Sequence, residues 1–487
     1  MPNRTCPPCF LALLAAILLG ACTVLGPEHQ TPALALPAAW STSPAAAVKS
    51  PSPAPDLATW WQQLGDTTLT ALVENALAAN PDLRAARASV REARARRNLA
   101  GAQRLSSLGA SASASAARSS KESGSGASSE IYGLGLDAAW EADLFGGLKR
   151  GEEAARADLA ASEADMEAVQ VSLVAEVALA YVDLRGSQAR LAIARANLDS
   201  QQQTQQLTDW RHQAGLASRL DVEQARSSVE QTRAQIPSLE TSRSEAVNRL
   251  AVLLGRNPGD LDKPLADALA QTRPLPKLPE QVATGIPAQV LTRRPDLIAA
   301  DRRLAAETAR VGEAQAARYP GLSLSASFGL EALNPADLFS GAAFTRSLLA
   351  GLSATLFDGG RLRQQVEIRN AIQEQALIAY ESAVLTALKE TENALSSLAN
   401  LKQRVTALQA AEQAAGLAAQ LARQRYEAGS VDFQTVLETE RTRLTAQDSL
   451  AIAQADSVTA LVRLYKVLGG GWQVVPASPS PPRDTLI

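Results

Sequence analysis

Four stretches of the chain alternate apolar and small residues with a period of two. Residues 108–116 read Leu-Gly-Ala-Ser-Ala-Ser-Ala-Ser-Ala. Leu134, Leu136, Ala138 and Trp140 alternate with Gly133, Gly135, Asp137 and Ala139. Leu322, Leu324, Ala326, Phe328 and Leu330 alternate with Ser323, Ser325, Ser327 and Gly329, and a fourth run follows through Leu348, Ala350, Leu352, Ala354 and Leu356. A period of two puts one apolar and one mostly polar face on a strand. It predicts strands at about 108–117, 131–141, 322–331 and 347–357. Ten-residue segments of this kind fit a transmembrane β-barrel, and they equally fit a soluble antiparallel sheet packed on helices. Four strands cannot close a barrel, and lipid tolerates no open edge. The barrel reading therefore requires other copies of the chain; three would supply twelve strands.

Between the strands the period changes. Residues 148–213 contain no proline, and a helix of that length reaches roughly 100 Å. Val384, Leu388, Leu395, Leu398, Val405 and Leu408 follow a heptad, the spacing of a helix seam. Two long helical runs break at Ala214-Gly215-Leu216-Ala217 and Ala428-Gly429-Ser430-Val431. Glycine just past a helix end takes the left-handed conformation without a Cβ clash. Ser218 with Asp221, and Asp432, then stand where N-caps are wanted. Both sites read as tips of helical hairpins.

The tips lie 214 residues apart, and so do Pro81-Asp82-Leu83 and Pro295-Asp296-Leu297, and Leu254-Gly255 and Leu468-Gly469. Shared offsets of this length mark a tandem repeat. Phe145 and Phe357 are 212 apart, which places a two-residue length difference between the anchors. Ahead of the first repeat, residues 23–59 carry seven prolines that forbid a continuous helix. Asp66 opens a short helix with Leu69, Leu72, Val73, Ala76 and Leu77 on one face.

Composition narrows the function. Aromatics are 4% of the 487 residues and net charge is −3, without the basic face a nucleic-acid binder needs. Cys6, Cys9 and Cys22 are all N-terminal, so no disulfide framework or cysteine metal site is expected. His29 and His212 read as surface residues rather than ligands or bases. Glu152, Glu153, Glu163 and Asp165 read as solvated. No nucleotide loop, metal cluster or nucleophile–base pair is present, so neither an enzyme nor a cofactor is expected.

Arg4 precedes a ten-residue apolar run, Phe10 to Leu19, too short to span a bilayer. It reads as a secretory signal peptide. The run ends in Leu19-Gly20-Ala21-Cys22, which resembles a bacterial lipobox. The resemblance implies that Cys22 becomes the lipid-modified first residue; ordinary cleavage near Ala21 is the alternative. Several acyl chains on one cysteine anchor a protein stably. Thr23, where an aspartate would imply inner-membrane retention, favours the outer membrane.

Lipobox, Pro-rich arm, two strand pairs, two Gly-turn hairpins and the 214-residue offset together resemble the outer membrane efflux protein family. The type is TolC-like, nearest the OprM-like, NodT-type lipoproteins. The specific motifs are Cys22-Thr23-Val24-Leu25-Gly26-Pro27 with Leu36-Pro37-Ala38-Ala39-Trp40, Tyr426-x-x-Gly429 and Phe357-Asp358-Gly359-Gly360. One departure is Ser106, where the family often has the proline found at Pro320.

The resemblance implies an α+β membrane protein: a trimeric twelve-stranded outer-membrane β-barrel continuous with a long periplasmic α-helical barrel, built from two tandem repeats per chain. The expected organisation is a signal peptide at 1–21, a lipidated arm at 22–59, repeats at 60–255 and 288–472, a Pro-rich linker at 256–287 and a disordered tail at 473–487. The implied partners are two further copies, a periplasmic adaptor, an inner-membrane pump of the RND type and outer-membrane lipid, with no nucleic acid. Gly215, Leu216, Ala217, Gly429, Ser430 and Val431 would dock the adaptor. Glu438 and, one turn earlier, Gln434 match a ring that constricts the tunnel; Asp221 and Tyr426 match positions that latch it through a phenol–carboxylate bond, with Val431 in place of an assisting basic residue. The implied function is a passive exit duct. Polypeptide secretion and a non-conducting coiled-coil stalk are the alternatives.

Overall fold

The computed structural model describes residues 24–41, 57–279 and 292–472. The signal peptide, Cys22 and the tail at 473–487 lie outside the described residues, as do parts of the arm and of the linker. In chain order the helices are α1 (Thr67–Ala79), α2 (Pro81–Ala102), α3 (Gly147–Gln213), α4 (Arg219–Leu253), α5 (Lys263–Ala270), α6 (Pro295–Ala316), α7 (Arg361–Glu427) and α8 (Phe433–Val467). The strands are β1 (Ser107–Arg118), β2 (Ser128–Ala142), β3 (Gly321–Ala332) and β4 (Phe344–Ser353). Helices recur at equal length 214 residues on: α2 and α6 have 22 residues, α3 and α7 have 67, α4 and α8 have 35.

The chain divides into two compact units. The first holds the arm to Leu34, residues 88–163 and residues 299–382. Its sheet is an antiparallel meander in the order β1-β2-β3-β4. The alternation is realised in register: Leu108, Ala138, Ala326 and Leu348 form one row, and Gly109, Asp137, Ser327 and Ser347 the next. The polar row is tied by Ser327 and Ser347, whose hydroxyls are 2.7 Å apart, and by Ser111 donating to Asp137. The apolar row is bare at its ends, with Leu108 and Leu348 exposed, and half-buried at Ala138 and Ala326. β1 and β4 have no outer partner strand among the described residues. The fourth strand begins and ends earlier than its alternation suggests. It stops at Ser353 because Asp358 turns the chain into α7, accepting from the backbone of Gly360 and Leu362. Asp143 does the same for α3 through Leu148 and Lys149.

The arm is seated on this unit. Leu25 donates its backbone N–H to Phe145, and Arg150 donates to the carbonyls of Leu25 and Gly26. Gly26 has φ +95°, and a Cβ there would fall 2.3 Å from Gly312 Cα. His29 is not a free surface residue: its Nε2 lies 3.1 Å from Asp301. The carboxylates expected to be solvated are paired too, Glu152 with Arg104 and Arg156, Glu153 with Arg150, Glu163 with Arg94. Asp165 is also partnered.

The second unit holds residues 35–87, 164–298 and 383–487. Asp66 caps α1 at Thr68 and Leu69, and Leu69, Leu72, Val73 and Ala76 are buried as the face predicted. They pack with Trp60, Tyr181, Leu250, Leu461 and Leu464 in one core, where Trp60 stacks on Tyr465 at 4.9 Å. On α7 the heptad residues Val384, Leu395 and Leu398 are buried. The Pro-rich linker is not wholly irregular. Pro264 opens α5, a position where a missing N–H costs nothing. Leu269 is buried, and the fully buried Arg185 donates to the carbonyls of Ala268 and Gln271.

Candidate functional site: the hairpin tips

Both tips close by the same turn. Gly215 and Gly429 have φ +74°. Leu216 N–H bonds back to Arg211 O at 2.7 Å and Ser430 N–H to Arg425 O at 2.8 Å, the six-to-one bond that ends a helix at a left-handed residue. α4 then starts on the Ser218–Asp221 capping box and α8 on Asp432, which accepts from Thr435. These donors hold the Asp432 carboxyl below its usual range. His212 Nδ1 donates to Ala217 O at 2.9 Å across the first turn.

The tips differ in what they show. At the first, Leu216 is 69% and Leu220 63% exposed, with Trp210 also exposed on α3. At the second, Phe433 is buried in a small cluster with Tyr426, Val436, Leu437 and Ala225. Trp210 and Leu220 escaped the sequence reading; the signal was present as large apolar residues inside Gln- and Arg-rich runs.

The residues assigned to a latch are not joined as expected. Asp221 is engaged by Ser218, through both its backbone N–H and its hydroxyl at 2.8 Å. The Tyr426 hydroxyl is buried without a hydrogen-bond partner among the described residues. Tyr426 is instead held by Arg211, whose guanidinium lies 4.4 Å from the ring centre and donates to the Tyr426 carbonyl at 2.5 Å. A cation over a phenol face is attracted by the ring quadrupole, so Arg211 ties the first hairpin to the second. Gln434 adds a bond to Gln224 at 2.7 Å. Glu438 is exposed on α8, and so is Arg441 one turn on.

A buried polar seam runs between α3 and α8. Glu440 is 5% exposed and accepts from Thr204 at 2.9 Å. Burial raises its pKa, against the pull of Thr204, Arg443 and Arg423. Arg443 donates to Asn197 at 2.9 Å, and Asn197 donates to Gln447 at 2.9 Å. Among the described residues no group of three or more His, Cys, Asp or Glu could hold a metal ion.

With this geometry in hand, comparison with known proteins is decisive. The sequence model of the outer membrane efflux protein family matches residues 72–256 and again 286–470. The chain belongs to that family. Among its relatives is the pyoverdine export outer membrane protein OpmQ of Pseudomonas aeruginosa, 38% identical over 471 residues, 94% of this chain and 96% of that one. The toluene efflux pump outer membrane protein TtgF of Pseudomonas putida is 31% identical over 481 residues, 96% of this chain and 98% of that one. The solved outer-membrane channel OprN superposes with a TM-score of 0.86 at 38% identity, covering 92% of this chain and 99% of OprN. The chain is thus an outer-membrane efflux protein, mostly helical with one sheet, and its relatives are channels rather than enzymes.

Proposed function

We propose that the protein is the outer-membrane exit duct of a tripartite efflux pump, passively conducting substrates received from a periplasmic adaptor and an RND-type inner-membrane pump. The observation that carries the reading is the four-stranded sheet, whose edge strands β1 and β4 are exposed and, among the described residues, lack an outer partner. Such a sheet is stable in lipid only when its edges are paired. Three copies joined β4 to β1 give a closed twelve-stranded barrel with the Leu108–Leu348 row towards lipid. The paired 22-, 67- and 35-residue helices support a tandem repeat whose long helices line the periplasmic tunnel. Cys22 is the lipid anchor of the arm that Arg150 holds at Leu25 and Gly26. OpmQ and TtgF are named for small cargo, pyoverdine and toluene, which favours a small-molecule duct over polypeptide secretion.

The tips dock the adaptor, with Trp210, Leu216 and Leu220 as apolar contacts beside Ala217 and the Gly429-Ser430-Val431 turn. Glu438 and Gln434 face the tunnel and Arg211 on Tyr426 holds it narrow, with Asp221 serving as a cap. Arg441 beside Glu438 tempers the acidic ring, so cation preference is modest. The experiment is conductance of purified protein in planar bilayers together with its mass in detergent. A trimer with ohmic conductance is expected, rising in Arg211→Ala and losing cation preference in Glu438→Ala. A non-conducting or monomeric protein refutes the duct.

A further inference from the structure

The two copies of the repeat differ at one cavity of the second unit. A cavity of about 490 Å³ lies between α3, α7 and α8, beside the start of α6. Its walls include Val171, Ala394 and Ala460, and two cations, Arg463 and Lys466, line it. Neither makes a side-chain ion pair or hydrogen bond among the described residues. The third cation, Arg294, is already satisfied by Asp296 at 2.6 Å and Glu390 at 2.9 Å.

The positions 214 residues earlier give the contrast. Arg249 stands for Arg463, and there it is neutralised by Asp183 at 2.9 Å. The position of Asp183 is taken by Ser397 in the second copy, which supplies no charge. Val252 stands for Lys466, and Asn80 for Arg294. The first copy has Asp82, Glu176 and Asp183 against Arg249, whereas the second has Asp296 and Glu390 against Arg294, Arg463 and Lys466. The charge balance moves from acidic to basic by three units while the helices keep their lengths. Arg463 and Lys466 are three residues apart on α8, so their side chains rise from one helix face. Two unneutralised cations above an apolar floor match an anion attached to an apolar body.

We propose that this cavity binds an organic dianion of about the size of an aryl phosphate, its charge between Arg463 and Lys466 and its apolar part against Val171, Ala394 and Ala460. The site is separate from the tips and does not depend on the duct reading.

The test is calorimetric titration of the purified full-length protein, in a non-ionic detergent, with phenyl phosphate. Saturable binding at one site per chain is expected, at least tenfold tighter than inorganic phosphate. Ser397→Asp, which gives Arg463 the partner that Arg249 has, and Lys466→Val each weaken it at least tenfold. Asp183→Ser, which alters only the first copy, leaves it unchanged. Thermal melting identifies any variant that fails to fold, and the other then carries the comparison. No saturable binding in the wild type overturns the proposal. So do equal affinity for inorganic and phenyl phosphate, undiminished binding in Ser397→Asp or Lys466→Val, or a change in Asp183→Ser.

Discussion

The long helices α3 and α7 have equal length and lead to equivalent turns, yet four matching positions near those turns are filled by opposite means. On α3, Asn197, Gln201, Thr204 and Thr208 are buried. At the same positions of α7 stand Ala411, Ala415, Ala418 and Ala422, of which Ala411 and Ala418 are exposed. The polar helix meets Glu440, Arg443 and Gln447 of α8 through directed bonds. The residue of α4 equivalent to Glu440 is Arg226, which is exposed. An alanine side chain makes no hydrogen bond, so none is lost at these four positions when α7 shifts. A hydrogen-bonded seam has one register, since a slip of one turn leaves each buried group unpaired at about 1–3 kcal/mol. The seam therefore fixes the register of α3 against α8, whereas the four alanines of α7 fix none.

The contrast breaks most visibly at Asn197. Asn197→Ala removes the acceptor of Arg443 and the donor to Gln447 in a buried place, and should cost about 2–4 kcal/mol. Ala411→Asn at the matching exposed position should cost no more than about 0.7 kcal/mol. Denaturant titration of the two variants measures the gap, and similar losses would contradict the special role of the α3–α8 seam.

A smaller effect is expected at the tips. Arg211→Ala removes the cation over Tyr426 and a bond to its carbonyl, about 1–3 kcal/mol for a partly desolvated contact. The equivalent Arg425 is exposed, and Arg425→Ala should fall within about 0.5 kcal/mol of the wild type. Hydrogen exchange of the tip amides reports the difference locally: protection near Gly429 should drop in the first variant alone.

Next comes the charge in the seam. The folded pKa of Glu440 is raised by burial, so the fold favours its protonated form. Its contribution is complete below the ordinary glutamate pKa and is lost as pH rises through the folded value. Glu440→Gln keeps an acceptor for Thr204 and removes the charge. It should raise stability at pH 7, with no gain at pH 4. Melting at the two pH values decides; an equal change at both would place the effect outside this ionisation.

Much of this was legible in the sequence, and the part that was not has a physical cause. Gly215, Gly429, Ser218, Asp221 and Asp432 could be placed because capping is local: a handful of consecutive residues contains the whole reason for the turn. The strands were visible for the same reason, and the misplaced fourth one failed where Asp358 overrode the alternation. The α3–α8 seam was invisible, because Thr204 and Glu440 are 236 residues apart and both look like ordinary polar helix residues. Arg211 was overlooked similarly: nothing near it in sequence says that Tyr426 lies beneath it. The Asp221–Tyr426 bond was carried over from resemblance, and in this chain each member has a different neighbour.

The finest probe is the Tyr426 hydroxyl. It is buried and has no hydrogen-bond partner among the described residues, whereas the ring touches Phe433 edge-on at 5.8 Å and carries Arg211 above it. If the ring is the working part, Tyr426→Phe keeps the cation and the cluster and removes only an unsatisfied polar atom. Such a removal is neutral or stabilising, by up to about 1 kcal/mol. Conductance should then match the wild type, while Tyr426→Leu, which removes the aromatic face, should behave like Arg211→Ala. If the hydroxyl is the working part, as in a phenol–carboxylate latch, Tyr426→Phe and Asp221→Ala should both open the channel. Single-channel recordings of these variants separate the two, and a wild-type trace from Tyr426→Phe with a raised one from Tyr426→Leu assigns the tie to the ring.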